Sequence, residues 1–220
     1  FLVPSIALAD QTLRAWLGDI AIPIRPFAVT SDKSVGRDED SLDKTTILMV
    51  PPTTDPKILF VKAGKPDPEK MTVIVSTYHS MDVIREAQKL GFPEFDLIIC
   101  DEAHYTTGVA LNKSELSFFK KVHFNDYVKA KKRLYMTATP KVFSYKAKSK
   151  AAESEIEIYS MDDEELYGPT FYTYTFYKAV EEGYLSDYKV IVMAVTEKEV
   201  QEKLYEYLNK GKTAVEDTAK

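Results

Sequence analysis

The stretch Phe95-Asp96-Leu97-Ile98-Ile99-Cys100-Asp101-Glu102-Ala103-His104 decides how the rest of the chain is read. Leu97 to Cys100 form a short apolar run bounded by Asp96 and Asp101, the pattern of a buried strand in a parallel sheet. Two adjacent acids, a small residue and a histidine follow at the strand's C-terminal end. In open α/β sheets that edge is where ligands bind. On an extended backbone Asp101 and Glu102 point to opposite sides, so one can hold a metal while the other faces a water.

Upstream, Phe1 to Pro4 reads as the end of a strand, and Ser5 as the N-cap of a helix carrying Ile6, Ala9, Leu13, Trp16 and Leu17 on one face up to Gly18. The amides at that helix start suit a phosphate. Ile24 to Val29 is a second strand, and Ser31 to Lys44 a polar loop. Thr53-Thr54-Asp55-Pro56 caps a short helix reaching Ala63. Met71 to Val75 is strand-like, followed by Ser76-Thr77-Tyr78-His79-Ser80 and a helix from Met81 to Leu90 that stops at Gly91.

Downstream, Tyr105 to Val109 is a loop and a mixed helical region runs to about Val128. Leu134-Tyr135-Met136 is a short strand ending in Thr137-Ala138-Thr139-Pro140. Glu153 to Glu165 is acidic and reads as solvated surface. Phe176 to Gly183 is helical, Gly183 to Asp187 a linker, Tyr188 to Val195 a strand and Glu197 to Leu208 an exposed helix. Strands alternating with helices give an α/β fold with a parallel sheet. Ser76-Thr77, Asp101 to His104 and Thr137 to Thr139 each follow an apolar strand, so all three fall along one sheet edge.

Composition narrows the class. The chain has 220 residues, 45% hydrophobic and 29% charged, an ordinary water-soluble balance. It has no apolar run long enough to span a membrane and no secretory leader, so no membrane role is expected. The single cysteine, Cys100, excludes an internal disulfide and a cysteine-based zinc site, and fits a reducing cytoplasmic setting. A formal charge of −5 gives no global pull toward nucleic acid, so any such contact is local. Phe1 opens inside a strand-like run, so the chain reads as a piece of something longer.

Asp-Glu-Ala-His after one apolar strand and Thr-Ala-Thr after a later one resembles motifs II and III of superfamily 2 helicases. Phe1-Leu2-Val3-Pro4-Ser5 to Thr12 resembles motif Ia, and Val75-Ser76-Thr77-Tyr78-His79-Ser80 a later nucleic-acid-binding motif of the same domain. Asp101 to Gly108, Lys132 to Pro140, Ser160 to Glu164 and Gly183 to Val190 look like the motor of single-chain Type I (Type ISP) restriction–modification enzymes. Tyr105 departs from the pattern, standing where relatives often carry Arg.

The resemblance implies a RecA-like parallel sheet flanked by helices over residues 1–187, and the start of a second RecA-like domain over 188–220. It implies an ATP-dependent motor on double-stranded DNA, with nuclease and methyltransferase domains elsewhere on the polypeptide. Asp101 is then expected to help hold Mg²⁺ through water, Glu102 to serve as general base in the ATP site, and His104, Thr137 and Thr139 to couple that site to DNA movement. Pro4, Ser5, Ser76 and Thr77 are expected to line the DNA track. Hard oxygen ligands suit Mg²⁺, and phosphoryl transfer needs mostly positioning and charge neutralisation, so one Asp and one Glu at a strand end suffice locally.

A phosphate-binding loop needs Gly-x-x-x-x-Gly-Lys-Ser/Thr between a strand and a helix. Gly211-Lys212-Thr213 fails, because Glu206 holds the first glycine position and a helical pattern precedes it. That loop is expected upstream and the arginine finger downstream. Three other readings stand beside this one: another superfamily 2 motor (a Type III restriction subunit or an RNA helicase), a catalytically silent piece, or acids that merely cap a turn. His79 and His123 read as ordinary surface or turn residues, Cys100 and the aromatic cluster Phe171 to Tyr177 as core filling, and Lys129 to Arg133 as a solvated face.

Overall fold

A computed structural model of the chain describes residues 1–30, 50–110, 117–154 and 156–187. By its contacts the chain divides into two compact units, Phe1–Pro169 and Thr170–Lys220. The expected loop at Ser31–Lys44 and the elements beyond Tyr188 lie outside the described residues.

The first unit is built on a six-stranded sheet of β1 (Leu2–Val3), β2 (Ile24–Val29), β3 (Pro52–Thr53), β4 (Met71–Thr77), β5 (Phe95–Cys100) and β7 (Ala130–Tyr135), in the order β3-β2-β4-β1-β5-β7. Every pairing in it is parallel. Alternation along the strands sends side chains to two faces, and each face has its own core. Val3, Ala28, Val73 and Val75 meet Ala9 and Leu13 of α1 (Ile6–Asp19). Their neighbours Leu2, Val29 and Ile74 point the other way, into a larger core with Leu59 and Ala63 of α2 (Pro56–Ala63) and Met81, Ile84 and Ala87 of α3 (Met81–Lys89). The sheet is therefore covered on both sides, as the apolar strands require.

Local chemistry sets the helix starts. The Ser5 hydroxyl accepts the Leu8 N–H at 3.3 Å, and the Asp55 carboxylate accepts the Lys57 N–H at 2.7 Å just before Pro56. Such caps are worth about 1 kcal/mol each. α1 passes through Gly18 and ends at Asp19, while Gly91, at φ +107°, follows α3 as expected.

Several expectations are corrected. The region before Val128 holds no α-helix among its described residues. It contains β6 (Gly108–Ala110) and a 3₁₀ turn at Lys120–His123. β6 pairs antiparallel with β8 (Glu157–Tyr159), so the acidic segment is not all surface loop. α4 (Tyr145–Glu153) and α5 (Glu164–Tyr167) flank β8.

β7 begins at Ala130, several residues before the apolar signal. Lys131 and Lys132 point to solvent, whereas Arg133 is tied back to the Val122 and Val128 carbonyls at 2.6 and 2.8 Å. Leu97, within the expected buried strand, is 46% exposed. β1 pairs only with the C-terminal ends of β4 and β5, and a cavity of about 520 Å³ lies between the N-terminal halves of those strands.

In the second unit α6 (Phe176–Glu181) is capped by the Thr175 hydroxyl, which accepts the Lys178 N–H. Phe171, Tyr172, Phe176 and Tyr177 are exposed there, not core packing.

Candidate active site

Register brings the polar strand ends level. Val3 sits opposite Thr77, Leu2 opposite Cys100, and Cys100 opposite Tyr135. The residues just past these pairs are Pro4-Ser5, Asp101-Glu102 and Met136-Thr137. They form one edge across three adjacent strands, roughly 10 Å at about 4.8 Å per strand spacing.

β5 stops at Cys100, and the backbone turns sharply. Asp101 still pairs with the sheet, its N–H donating to the Leu2 carbonyl at 2.9 Å. Its carbonyl accepts the Tyr78 hydroxyl at 2.8 Å, from a tyrosine fully buried under the edge. Glu102 then adopts a left-handed conformation, φ 48° and ψ 45°, and is the only non-glycine residue with positive φ among the described residues. The two acids therefore do not sit on a continued strand, which corrects the extended-backbone reading. Ala103 re-enters the sheet edge by donating its N–H to the Met136 carbonyl at 2.8 Å, and Ala103–Thr106 forms a 3₁₀ turn. A left-handed residue without glycine costs about 1–2 kcal/mol, and such strain concentrates at functional sites.

This turn sets the side chains. Asp101 Oδ1 accepts the Glu102 N–H at 3.0 Å, which leaves Oδ2 directed away from that bond. His104 Nδ1 lies 3.0 Å from Thr137 Oγ1, 3.3 Å from Thr139 Oγ1 and 3.2 Å from Glu102 Oε2. The two threonine hydroxyls are the hydrogen-bond partners of Nδ1, and Glu102 Oε2 is a close electrostatic contact beside them. The Thr139 N–H donates to Thr137 Oγ1 at 3.1 Å and fixes the Thr-Ala-Thr turn. The geometry thus gathers Glu102, His104, Thr137 and Thr139 into one cluster, with Asp101 at its base. Tyr105 stacks between His104 and Phe119, with ring centroids 4.3 and 5.3 Å away.

The residues read as a nucleic-acid track divide. Ser5 is exposed at the start of α1 and Pro4 half-buried beside it. Ser76 and Thr77 are 0% and 4% exposed. The Ser76 hydroxyl donates to the Thr77 carbonyl at 3.0 Å, and Thr77 Oγ1 meets Ser80 Oγ at 2.8 Å. Their hydroxyls are engaged inside the fold. Burial pushes the Cys100 thiol up to about 12, so it is inert packing, as expected from the sequence.

Among the described residues no group of three or more His, Cys, Asp or Glu side chains converges as a metal cage. Mg²⁺ suits this arrangement nonetheless. It keeps several waters and takes one or two carboxylates beside substrate phosphates, and Asp101 supplies one half-buried carboxylate, of which Oδ1 is engaged by the Glu102 N–H. No helix among the described residues is long and apolar enough to cross a membrane.

Sequence reasoning missed His123. Its Nδ1 lies 2.7 Å from the Tyr135 hydroxyl and its Nε2 3.2 Å from the Thr106 carbonyl. The lysine-rich context Phe118-Phe119-Lys120-Lys121-Val122 reads as surface, and no local signal marks the histidine as bridging.

Comparison with known proteins places the fold. Two Type ISP restriction–modification enzymes are similar in structure. A nuclease-deletion mutant of LlaGI in complex with a DNA substrate mimic is 43% identical with a TM-score of 0.61, over 86% of this chain and 14% of that one. ATP-dependent LlaBIII bound to DNA is 44% identical with a TM-score of 0.67, over 94% of this chain and 13% of that one. A probable helicase, A859L, of African swine fever virus (isolate Pig/Kenya/KEN-50/1950) is 27% identical over 205 residues, 88% of this chain and 18% of the viral protein. The chain thus spans only 13% to 18% of the length of these relatives. The likeness to Type ISP motors carried by Asp101 to Gly108 and Lys132 to Pro140 is met, and the sheet is the RecA-like one of those neighbours. Residues 1–142 match the family described as Type III restriction enzyme, res subunit, and the chain belongs to it.

Proposed function

We propose that this chain is part of an ATP-dependent double-stranded DNA translocase motor of a restriction–modification enzyme. Residues 1–187 would form most of its first motor domain and 188–220 the start of the second. The single observation that carries the reading is the cluster at the sheet edge. A left-handed Glu102 places its carboxylate beside His104, and His104 bridges to Thr137 and Thr139 on the next strand end.

Asp101 would hold Mg²⁺, through water, by the carboxylate oxygen that the Glu102 N–H leaves free. That ion, when bound, neutralises charge on the nucleotide phosphates. Glu102 accepts the proton of the attacking water, and its half-exposed carboxylate, 38% accessible, lets that water approach. His104 carries the state of Glu102 to the Thr137–Thr139 turn, so that a change at the phosphates is felt along the edge. There Ser5 presents an open helix start, where the Ile6 and Ala7 amides suit a DNA phosphate. Pro4 shapes that turn, and Ser76 and Thr77 hold the neighbouring backbone in place. The remaining motor half, and nuclease and methyltransferase domains, belong elsewhere on the polypeptide, in the cytoplasm.

Glu102→Gln in the full-length protein keeps the shape and removes the base. DNA-stimulated ATP hydrolysis is expected to fall at least about 100-fold. A rate near wild type sinks the assignment. The family match to a Type III subunit favours one second reading, a different superfamily 2 motor. Stimulation of the same assay by duplex DNA, single-stranded DNA and RNA separates the two, the proposed translocase responding to duplex.

A further inference from the structure

We propose that His123 is a positioning residue of this site, bracing the Asp-Glu-Ala-His turn against the Thr-Ala-Thr strand from behind. The inference rests on the function proposed above and extends it to a residue that no motif contains.

The 3₁₀ turn Lys120–His123 delivers the imidazole into a nest of rings. It stacks on Tyr159 at 5.8 Å and 19°, and meets the Tyr167 ring edge-on at 4.9 Å and the Tyr135 ring at 5.2 Å. Both ring nitrogens have partners. The Thr106 carbonyl can only accept, so Nε2 carries the proton and donates to it. Nδ1 is then bare and accepts from the Tyr135 hydroxyl. The tautomer follows from the partners, and burial, which draws the imidazolium's pKa down to about 4, keeps the ring in the neutral form this bridge needs.

The two ends of the bridge lie beside the site. Thr106 is two residues after His104, and Tyr135 two residues before Thr137. At the front the same two segments are joined by His104 to Thr137 at 3.0 Å. One hydrogen bond fixes a distance but leaves rotation about itself. A second link, displaced along both segments, removes that rotation and so sets the direction in which His104 presents Nδ1. Tyr167 closes the frame. Its hydroxyl lies 3.0 Å from Thr106 Oγ1, and its ring packs on Tyr135 at 4.8 Å. The hydrogen bonds of Asp101 run to Tyr78, Glu102 and Leu2, not to this frame, so the loss of the frame should slow the catalysed step and leave nucleotide affinity alone.

The test uses the full-length protein with His123→Phe, which keeps a ring and deletes both nitrogens, His123→Gln, which restores a donor toward Thr106, and Tyr135→Phe, which removes one hydroxyl. In DNA-stimulated hydrolysis His123→Phe is expected to lower kcat about tenfold at unchanged KM for ATP, with Gln recovering part of it and Tyr135→Phe losing several-fold. ATP consumed per base pair travelled should rise in both phenylalanine variants. A kcat within twofold of wild type in variants that melt cooperatively, or a raised KM with kcat intact, overturns the proposal. Where His123→Phe fails to fold, Tyr135→Phe alone decides, since it preserves the ring packing. Glu102→Gln runs alongside. If it stays active, the site reading itself has failed. If it is dead while Tyr135→Phe behaves as wild type, only the brace has failed.

Discussion

Glu102 carries two burdens at one residue, a proposed base on its side chain and a left-handed backbone beneath it. The backbone cost is of order 1–2 kcal/mol for any residue with a Cβ. Glycine removes that cost, so Glu102→Gly should raise the stability of this chain by about 1 kcal/mol, an increase in Tm of about 3 °C, while abolishing ATP turnover in the full-length protein. Calorimetry and an ATPase assay check the two halves separately, and a lowered Tm would show that the conformation is not strained. The acids at positions 101 and 102 were legible in the sequence because a short apolar run ends on them. Their relative direction was not, since it depends on where the strand stops, and that is set by the Tyr78 and Met136 contacts from distant segments. His123 was illegible for the same reason. Its partners Thr106 and Tyr135 are 17 and 12 residues away in the chain. Its titration is nonetheless testable. Burial first, then the charges of Arg133 and Lys120, lower its pKa to about 4, against the raising effects of the Thr106 carbonyl and Asp163. The unfolded chain takes up the proton near pH 6.5, before the folded one does. This contribution is therefore complete above about pH 6.5 and is lost as pH falls toward 4. The full linkage is about 3 kcal/mol, discounted to about 2 kcal/mol for the ring's residual solvent contact. Urea melts across that window should lose this dependence in His123→Phe.

At the scale of elements, the parallel strands were read well because apolar runs and terminal turn residues are local signals. Phe95–Cys100 and Ile24–Val29 match their expected bounds, and α2 starts at the Asp55-Pro56 cap. The errors fall where a partner overrides composition. Lys132 and Arg133 sit in β7 because β5 pairs with them, Leu97 opposite Lys132 and Ile98 opposite Arg133. Gly108-Val109-Ala110 is a strand only because Glu157 to Tyr159 returns to meet it. Gly108 shows how tightly that small sheet is held. Its φ is +126°, and a Cβ there would lie 3.3 Å from Cε and Nζ of Lys120. The lysine cannot simply swing away, since its Nζ donates to the Val109 carbonyl at 2.7 Å and burial lowers its pKa. Gly108→Ala is therefore expected to cost about 2 kcal/mol, part from the disfavoured φ and part from displacing Lys120. A melt showing a loss below about 0.5 kcal/mol would mean that the turn relaxes freely.

For the whole molecule, the question is how much of the chain the proposed site needs. All strands of the main sheet, both cores that cover it, and the cluster from Asp101 to Thr139 lie within Phe1–Pro169. The sequence suggested a different division, after Asp187, because Gly183 to Asp187 reads as a linker and a strand signal comes next. Composition marks where a chain is easy to bend, whereas contacts mark where packing stops, and the two need not coincide. A sheet whose two faces are each closed by its own helices should not depend on the residues beyond Pro169. A chain ending at Pro169 is thus predicted to unfold in one cooperative transition, with a Tm within about 3 °C of that of the 220-residue chain, a difference under about 1 kcal/mol. A chain ending at Asp187 should melt at the same place. If the shorter one instead binds a hydrophobic dye and loses its near-ultraviolet circular dichroism while the longer one does not, residues 170–187 complete the first domain. The boundary then belongs at the linker rather than at Pro169.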